Sequence, residues 1–306
     1  MESGTVLVTG AAGGRAGQTG RHVSEMLLAR GVRVRAFVHR IDKRSQRLRE
    51  LGAEIFEGDF LDSHSVQRAV RGVASIYFAY PVQDGLLDAT TIAAVAAREA
   101  DVARVVNLVM LRSSPDAPTP RMRQNWLSEK IFDWAAVGAL HVRAAVFYEN
   151  LRDGIESGLS AEGSIRLPFG SEETVVPLVS AEDVARVAVG LLTRSSQTGS
   201  AYPVIGSVLT LREIIASVGR VLGHDLRYKE MTDEEWRREA LVRGLNAHAI
   251  EHLSHLWNFF RLGGLRADAV GYQVTDAIER IGGADPKTFE SFLREQLEAA
   301  GKRSLA

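Results

Sequence analysis

The stretch Val6–Val23 reads VLVTGAAGGRAGQTGRHV and combines three patterns in a fixed order. An apolar, β-branched run comes first, a glycine-rich loop follows, and a pattern with helical spacing closes the stretch. Gly10 ends the predicted strand, and Gly13 follows it in the loop. Gly17 and Gly20 open the predicted helix. A strand that runs through such a loop into a helix predicts a βα unit of the nucleotide-binding type.

The glycine loop has the geometry that the pyrophosphate of a dinucleotide requires. Glycines let the backbone approach the phosphates closely, and the helix N-terminus presents N–H groups that have no partner within the helix. We expect Thr9, Gln18 and Thr19 to contribute to the same cofactor site as the glycines. An ordinary flexible loop is the alternative, but the strand before the loop and the helix after it favour the cofactor site.

Short β-branched runs alternate with helical patterns through residues 1–150. The runs are Thr5–Thr9, Val32–Val38, Ala53–Phe56, Ala74–Ala79, Ala103–Val109 and His141–Phe147. Several helices between them end in glycine, a common stop signal, and Ser63 and Ser65 are candidate N-caps of the third helix. This alternation predicts an α/β fold with a Rossmann-type, doubly wound parallel sheet.

After Asn150 the pattern changes to short strands, turns and a mostly helical C-terminal third. The sequence therefore predicts a second, smaller α/β domain that is mostly helical. We expect residues 1–150 and 180–206 to form the dinucleotide-binding domain, and residues 151–179 and 207–306 to form the smaller substrate-pocket domain. The substrate pocket is expected between the smaller domain and the open edge of the nucleotide domain.

Basic residues follow the second predicted strand, where an NAD-preferring site places an acidic residue. The sequence there reads VHRIDKR, with Arg40, Lys43 and Arg44 close together. Guanidinium and ammonium groups suit the 2′-phosphate of NADPH, which a carboxylate would repel. NADPH is therefore the expected cofactor and NADH the second choice. A solvated basic helix start is the alternative, and Asp42 in the same stretch weakens the preference.

The segment GDFLD at Gly58–Asp62 follows the third predicted strand, where a loop reaches the adenine. Asp59 is a candidate acceptor for the adenine amino group, and Phe60 is a candidate to pack on the ring. The alternative is a simple turn in which Asp62 or Ser63 caps the next helix, and both interpretations are compatible.

With these segments, the chain resembles the NmrA-like family of atypical short-chain dehydrogenases/reductases. The resemblance continues through SEKIFDWAAVGALHVRAAVFYENL at Ser128–Leu151, which is similar to the family's lysine-bearing helix and the strand after it. It also covers IRLPFG, SAEDVARVAVGLL and the closing DPKTFESFLRE, and so spans nearly the whole chain. Two features depart from the family pattern: extra residues separate Gly10 from Gly17, and Ala144 stands where proline is usual.

The resemblance implies NADP(H) in the glycine loop, with Lys130 near the nicotinamide ribose. It also implies that Tyr80 and Pro81, together with the segment from Phe147 to Asn150, flank the nicotinamide. The family includes NADPH:quinone oxidoreductases, isoflavone-reductase-like enzymes, and regulators that bind the dinucleotide without turning it over. An enzyme and a redox sensor therefore both stay open.

The Tyr-x-x-x-Lys motif of classical short-chain dehydrogenases, whose tyrosine protonates the substrate oxygen, is absent. Trp126 stands four residues before Lys130, where that tyrosine would be. Quinone reduction produces a phenolate-like anion that water can protonate, so the missing acid favours a quinone or a related aromatic substrate. Tyr77, Tyr80 and Tyr148 are candidate proton donors, but a wall residue is the commoner interpretation for each.

Aromatic side chains are the candidates for a substrate-binding wall that would select a flat, apolar molecule. These candidates are Trp126, Tyr148, Trp257 and Phe260. For the run around Trp257 and Phe260, the simplest alternative is that it forms the core of the smaller domain.

A metal site is not expected. The chain contains no cysteine and no HExxH pattern. Histidines with i,i+4 spacing occur on one predicted helix, where a solvated helix face is the commoner interpretation. The residues concerned are His248, Glu251, His252 and His255.

Charge and composition limit the partners. The 306 residues contain 37 Lys plus Arg and 38 Asp plus Glu, so no basic field is present to attract nucleic acid or an anionic membrane. The start of the chain lacks the features of a signal peptide, which predicts a cytoplasmic protein. The leading hypothesis is an NAD(P)H-dependent oxidoreductase that reduces a small quinone or aromatic substrate. A non-catalytic NADP(H) sensor with a protein partner, and flavin- and metal-free hydroxylation through a reduced hydroquinone, are the alternatives.

Overall fold

The structure is a computed structural model that describes residues 4–13, 18–160, 162–194, 200–262 and 272–304. The chain divides into two compact units. The first unit comprises Met1–Ala144, Ala181–Val204 and Asp276–Ala284, and the second comprises Ala145–Ser180, Ile205–Thr275 and Asp285–Ala306.

The strands of the described residues are short and fall mainly in the first half of the chain. They are β1 (Thr5–Thr9), β2 (Val34–Val38), β3 (Glu54–Glu57), β4 (Val73–Phe78), β5 (Arg104–Met110), β6 (Ala139–Ala144), β7 (Val146–Phe147), β8 (Ser164–Leu167), β9 (Val175–Val179), β10 (Ala201–Val204), β11 (Ser207–Thr210) and β12 (Arg227–Glu230).

Helices lie between most of these strands and dominate the second unit. They are α1 (Thr19–Ala29), α2 (Lys43–Glu50), α3 (Ser63–Val70), α4 (Leu86–Glu99), α5 (Pro120–Ala135), α6 (Tyr148–Gly158), α7 (Ala181–Thr193), α8 (Leu211–Leu222), α9 (Asp233–Val242), α10 (Ala247–Arg261) and α11 (Phe289–Ser304). A π-helical turn covers Ile278–Gly282.

The first unit contains a seven-stranded sheet in the order β10-β6-β5-β4-β1-β2-β3. All neighbouring strands in it are parallel. This sheet confirms the predicted Rossmann-type α/β fold. The β-branched runs form its strands because they are buried on the sheet faces; β1, for example, is buried from Val6 to Thr9.

Small residues let helices pack closely on the sheet. The buried face of α4 is rich in alanine, and it packs with Phe132 of α5 and with Phe78 of β4 in one hydrophobic cluster. Alanine buries little apolar area, but its small side chain lets the backbone of α4 approach the sheet closely, so the contact remains well packed. The cluster fixes α4 and α5 on the same side of β4 and β5.

Side-chain caps set the starts of three helices of the first unit, α2, α3 and α5. Asp42 and Ser45 form a capping box at α2, and Thr119 caps α5 with Pro120 at its first position. Asp62, not Ser63 or Ser65, caps α3 through a hydrogen bond from the His64 N–H. Asp62 was one of the candidate caps together with Ser63 and Ser65, and it is the one that accepts this N–H.

The units differ from the predicted domains by one or two residues at 180 and 205–206, and by more in two other places. The predicted strand His141–Phe147 is divided at Ala145, since β6 pairs in the large sheet and β7 pairs with β9 in the second unit. The segment Asp276–Ala284 belongs to the first unit, where its π-helical turn packs on α7. The contact is close: a Cβ on Gly190 would lie 2.3 Å from the Ile281 carbonyl oxygen.

The second unit combines two small sheets with five helices in its described part. One sheet has the order β11-β9-β7 and the other pairs β12 with β8. Helices α9 and α10 enclose a separate small core around Trp236 and Ile250. None of the described helices is both long enough and apolar enough to cross a membrane.

Candidate functional site

The carboxyl ends of β1 and β4 meet at the point where the strand order reverses. The chain passes from β1 to β2 and β3 on one side, while β4, β5 and β6 lie on the other. Loops that leave neighbouring strands in opposite directions open a crevice, which is where ligands bind in open α/β sheets. The crevice of the first unit is therefore the candidate site.

Thr9 holds the two sides of this crevice together. Its buried hydroxyl donates to the Ala79 carbonyl oxygen at 2.9 Å and accepts from the Ala79 N–H at 2.7 Å. Both bonds join the end of β1 to the residue after β4. The structure thus gives Thr9, predicted to bind the cofactor, a role in shaping the crevice.

A tight glycine turn follows β1. Gly10 and Gly13 have φ values of +62° and +68°, and the Gly13 N–H donates to the Gly10 carbonyl oxygen at 3.0 Å. Residues with a Cβ adopt this left-handed region at a cost, so the turn requires glycine at both positions. Gly17, which was also predicted to bind the cofactor, lies outside the described residues.

Gly20 brings the start of α1 against the turn. A Cβ at this position would lie 2.5 Å from the Thr9 carbonyl oxygen and 2.6 Å from that of Gly10. Gln18 occupies the N-cap position but makes no side-chain capping bond, and its Oε1 accepts from the Arg21 guanidinium instead. Among the described residues, no side chain caps the first N–H groups of α1, which begin at Thr19 and are suited to bind an anion.

Arg44 is the basic residue after β2 that reaches the glycine turn. Its Nη1 donates to the Gly13 carbonyl oxygen at 2.7 Å, while its Nε and Nη2 donate to Asp42 at 3.0 and 2.6 Å. The hydrogen bonds from Arg44 lower the pKa of the Asp42 carboxyl to about 2. The Asp42 carboxylate therefore binds the Arg44 side chain and also caps α2.

Arg40 and Lys43 are exposed near the same corner of the first unit. Neither side chain has a hydrogen bond or ion pair with another described residue. Within the described residues, two exposed cations therefore follow β2 near Arg44, and the 2′-phosphate site stays a prediction.

The aspartates of the GDFLD segment accept hydrogen bonds from backbone N–H groups that lie close to them in the chain. Asp59 Oδ1 accepts from the Leu61 N–H at 2.9 Å, and Asp62 caps α3. The Phe60 ring lies 4.2 Å from the ring of Phe37 and contacts Phe78 edge to face. The turn interpretation is therefore present in the structure, and Phe60 is half-buried against the core.

The loop after β4 is held by a residue that the sequence reasoning missed. Arg121 donates to the carbonyl oxygens of Tyr80, Pro81 and Gln83 at 3.1, 2.7 and 2.9 Å. Its side chain is only 2% exposed. The sequence signal was confined to TPRM at the start of α5, which reads as an ordinary exposed first turn.

The tyrosines of the first unit are poorly arranged as acids. The Tyr80 hydroxyl donates to the Asp84 carbonyl oxygen at 3.0 Å. Tyr77 is fully buried, and burial raises the pKa of its hydroxyl well above the ordinary value. The Tyr80 hydroxyl is therefore engaged with the protein backbone, and that of Tyr77 is inaccessible to a substrate.

Lys130, which was predicted to lie near the nicotinamide ribose, is engaged in an ion pair within α5. Its ammonium pairs with Asp133 at 3.2 Å, and Asp133 also contacts His141 at 3.0 Å. His141 lies three residues before the end of β6, about 10 Å below the carboxyl edge at 3.3 Å per residue. Trp126 is half-buried on the same helix face as Lys130.

Asn125 is the residue of α5 that does reach the end of β5. Its Oδ1 accepts from the Met110 N–H at 3.3 Å, and the side chain is buried. Sequence reasoning missed it because a lone asparagine in a helix carries no motif. The Thr119 cap and the four-residue interval from Arg121 place both side chains on the sheet-facing side of α5.

Within the second unit, Tyr148 and Phe260 are core residues, so the structure argues against the roles predicted for them. Tyr148 is fully buried, and its hydroxyl contacts the Ser207 hydroxyl and the Lys287 carbonyl oxygen, each at 2.9 Å. Phe260 is 2% exposed and packs on Phe169. Packing satisfies both side chains inside the unit.

Other predicted residues of the second unit are more accessible. Trp257 is half-buried and lies between Phe169 and Trp236, with ring centroids 4.6 and 6.0 Å away. Phe147 is half-buried at the end of β7, and Asn150 is exposed on α6. Among the described residues, no cluster of His, Asp or Glu has the arrangement of a metal site.

The parallel sheet, the glycine turn and the helix packed against it define a Rossmann-type nucleotide-binding protein. The chain belongs to the NmrA-like family, whose family model matches residues 2–293.

Three known proteins illustrate what the chain is similar to. A Streptomyces griseus enzyme, (4-alkanoyl-5-oxo-2,5-dihydrofuran-3-yl)methyl phosphate reductase, is 34% identical over 234 residues, which are 74% of this chain and 77% of that protein. The NADPH-dependent quinone oxidoreductase of Escherichia coli, solved with NADPH, matches with a TM-score of 0.79 at 19% identity, over 95% of this chain and 99% of that one. NmrA, a negative transcriptional regulator solved with NADP, gives a TM-score of 0.80 at 16% identity, over 99% and 98%. The two structural likenesses establish the fold.

Proposed function

We propose that the protein is an NADPH-dependent reductase that delivers a hydride to a small, conjugated, electron-poor acceptor, with a quinone as the favoured class. The observation that carries the proposal is the glycine turn at the crevice, closed by Gly20 and flanked by basic residues. The activity class is that of the Streptomyces relative, which is named as a reductase. NADPH supplies the hydride when it is bound.

The residues of the crevice fit a phosphorylated dinucleotide. Gly20 lets α1 begin directly against the glycine turn, since a Cβ there would collide with the Thr9 and Gly10 carbonyl oxygens, and Gln18 leaves the N–H groups at the start of α1 available to a pyrophosphate. Arg40 and Lys43 would hold the 2′-phosphate, with Arg44 beside them. NADH lacks this phosphate, so it would bind more weakly to the same residues.

The acceptor class follows from the missing acid. Tyr80 and Tyr77 are engaged or buried, and Tyr148 is a core residue of its own unit. Hydride addition to a quinone gives a phenolate-type anion, in which the charge is delocalised and water can complete the protonation. The acceptor named for the Streptomyces relative carries a double bond conjugated with two carbonyl groups, so it would also give a delocalised anion. The residues therefore act by binding and orienting, not by acid catalysis.

A regulatory function is the second candidate, supported by the fold likeness to the NADP-bound regulator NmrA. The same glycine turn and basic residues would bind NADP(H) without turnover. A protein partner would then sense the occupied site. Hydroxylation of an aromatic substrate, through a hydroquinone that reacts with oxygen, stays a third hypothesis that one assay distinguishes.

The test is NADPH oxidation by the purified protein with a panel of small quinones, followed together with oxygen consumption. The comparisons are NADH as cofactor, Arg40→Ala as the site variant, and Arg49→Ala as a control on the exposed end of α2. Turnover with NADPH that falls in Arg40→Ala, but not in Arg49→Ala, supports the reductase. Tight NADPH binding without turnover of any acceptor refutes it in favour of the sensor. Oxygen uptake in step with NADPH oxidation indicates the hydroxylation.

A further inference from the structure

Arg121 is an unusual buried cation. It is the second residue of α5 and is 2% exposed, although arginine is rarely buried without a paired charge. Its hydrogen bonds go to three backbone carbonyl oxygens, of Tyr80, Pro81 and Gln83. Burial lowers its pKa to about 10, which leaves the guanidinium charged at neutral pH.

No carboxylate of the described residues accepts a hydrogen bond from Arg121. Its Nε is buried and has no described partner, and its guanidinium carbon lies 5.8 Å from the centre of the Tyr80 ring. Three carbonyl dipoles and an aromatic face surround the guanidinium, and the Asp84 carboxylate acts on it electrostatically without accepting a described hydrogen bond from it. This arrangement costs desolvation energy, which the hydrogen bonds to the three carbonyl oxygens offset.

The three carbonyl groups belong to one loop, which begins directly after β4. The bond from Thr9 to Ala79 anchors the start of that loop at the crevice. Since Arg40 and Lys43 follow β2, the adenosine half of a dinucleotide would lie over the β2 side of β1. The nicotinamide half would then extend over β4, beside the Tyr80–Gln83 loop.

We propose that Arg121 is a positioning residue for the hydride donor, because it turns three carbonyl oxygens of the Tyr80–Gln83 loop into the protein and so fixes the wall beside the nicotinamide. The inference rests on the proposed function. Without the guanidinium, these oxygens would be freed to face the crevice, where they would disturb the ring and repel a developing anion. The adenosine half of the cofactor would keep its contacts.

The affinities for two ligands distinguish an effect on the nicotinamide half of the site from an effect on the adenosine half. NADPH reports on the whole crevice, and adenosine 2′,5′-bisphosphate reports on the adenosine half only. Both dissociation constants are measured for the wild type, Arg121→Met, Arg121→Lys and the control Arg123→Met, an exposed arginine of the same helix. The melting temperature and the kcat and KM for a small quinone are measured on the same samples.

We expect Arg121→Met to raise the dissociation constant of NADPH about tenfold, as for the loss of hydrogen bonds from a charged donor. The dissociation constant of the bisphosphate should stay within about twofold of the wild-type value. Arg121→Lys, which keeps the charge but not the planar fork, should recover part of the NADPH affinity. The quinone kcat should fall more than its KM rises. Arg123→Met should behave as the wild type does.

Equal weakening of both ligands, or wild-type NADPH affinity in Arg121→Met, would overturn the proposal. If Arg121→Met does not fold, Arg121→Lys decides: a selective loss of NADPH affinity supports the role, and unchanged affinity refutes it. A wild type that turns over no quinone refutes the proposed function, while the ratio of the two affinities still tests Arg121.

Discussion

The guanidinium of Arg44 donates a hydrogen bond to the carbonyl oxygen of Gly13 at 2.7 Å. Arg44 lies in the first turn of α2, and Gly13 closes the turn after β1. One side chain therefore connects the corner proposed for the 2′-phosphate with the loop proposed for the pyrophosphate. Asp42 orients the guanidinium through two further bonds.

This connection separates the effects of Arg44 and Arg40. We expect Arg44→Ala to weaken NADPH and NADH alike, because it loosens the glycine turn that both cofactors use. Arg40→Ala should weaken NADPH only, by about tenfold to a hundredfold for lost bonds to a charged group. Isothermal titration with both cofactors measures this, with Arg49→Ala as the control. A selective loss of NADPH in Arg44→Ala would show instead that Arg44 binds the phosphate directly.

The contact between α1 and the glycine turn predicts that Gly20→Ala is damaging. The added Cβ would lie 2.5 Å from the Thr9 carbonyl oxygen, and backbone atoms cannot move aside cheaply. We expect a loss of about 1–3 kcal/mol in the free energy of unfolding, together with weaker NADPH binding. Urea denaturation and cofactor titration measure the two effects. In the helix control Gly154→Ala, the nearest atom is a flexible Leu167 side chain at 3.4 Å, so stability should be retained.

The low pKa of Asp42 predicts a defined acid dependence. Its pKa of about 2 in the folded protein lies below the value of about 3.9 expected in the unfolded chain. The ionised carboxylate therefore adds stability that is fully present above about pH 4 and is lost as the pH falls towards 2. Unfolding of the wild type and Asp42→Ala at pH 5 and pH 3 should show a difference that shrinks at the lower pH. A difference that is constant with pH would contradict this.

The hydroxyl of Tyr148 is expected to contribute to stability and not to catalysis. Tyr148→Phe removes its bonds to Ser207 and to the Lys287 carbonyl, which should cost about 1–3 kcal/mol of unfolding free energy. The kcat of quinone reduction should remain within about twofold of the wild type. Stopped-flow kinetics and urea denaturation test both parts. A kcat that falls by orders of magnitude with stability unchanged would restore Tyr148 as the proton donor.

Asn125 and Lys130 should differ in their effect on cofactor binding. They are five residues apart on α5, about 7.5 Å along the axis, and only Asn125 contacts the end of β5. We expect Asn125→Ala to weaken the binding of NADPH, since the Met110 N–H at the edge of the crevice loses its hydrogen-bond acceptor. Lys130→Met should bind NADPH as the wild type does. The reverse result would support the position of Lys130 that the family resemblance implies.

Features that depend on neighbouring residues were predictable. The strands of the large sheet follow from β-branched runs, and the turn at Gly10 and Gly13 follows from glycines placed after one of them. Both patterns are local. A β-branched side chain favours a strand, and a positive φ favours glycine, whatever the rest of the chain does. The bounds of Thr5–Thr9 were predicted to the residue.

Features that depend on distant parts of the chain were not predictable. Arg121 looks like a solvated helix residue until the loop after β4 covers it with carbonyl groups. Tyr148 looks like a proton donor until Lys287, far along the chain, accepts its hydrogen bond. The split at Ala145 has the same origin, since a continuous β-branched run shows nothing of which sheet each half will join.

The sequence by itself determined the class of fold, and it predicted the cofactor site from glycines and basic residues near the strand ends, because these act through their own backbone geometry and charge. Only the tertiary structure decided which of the candidate side chains can reach that site. In the structure Lys130 pairs with Asp133, and Tyr148 and Phe260 are buried. Arg44 binds the glycine turn, and Arg121 binds the loop that follows β4. The physical reason is that a side chain's partners are set by packing between segments that are remote in sequence, which no local pattern records.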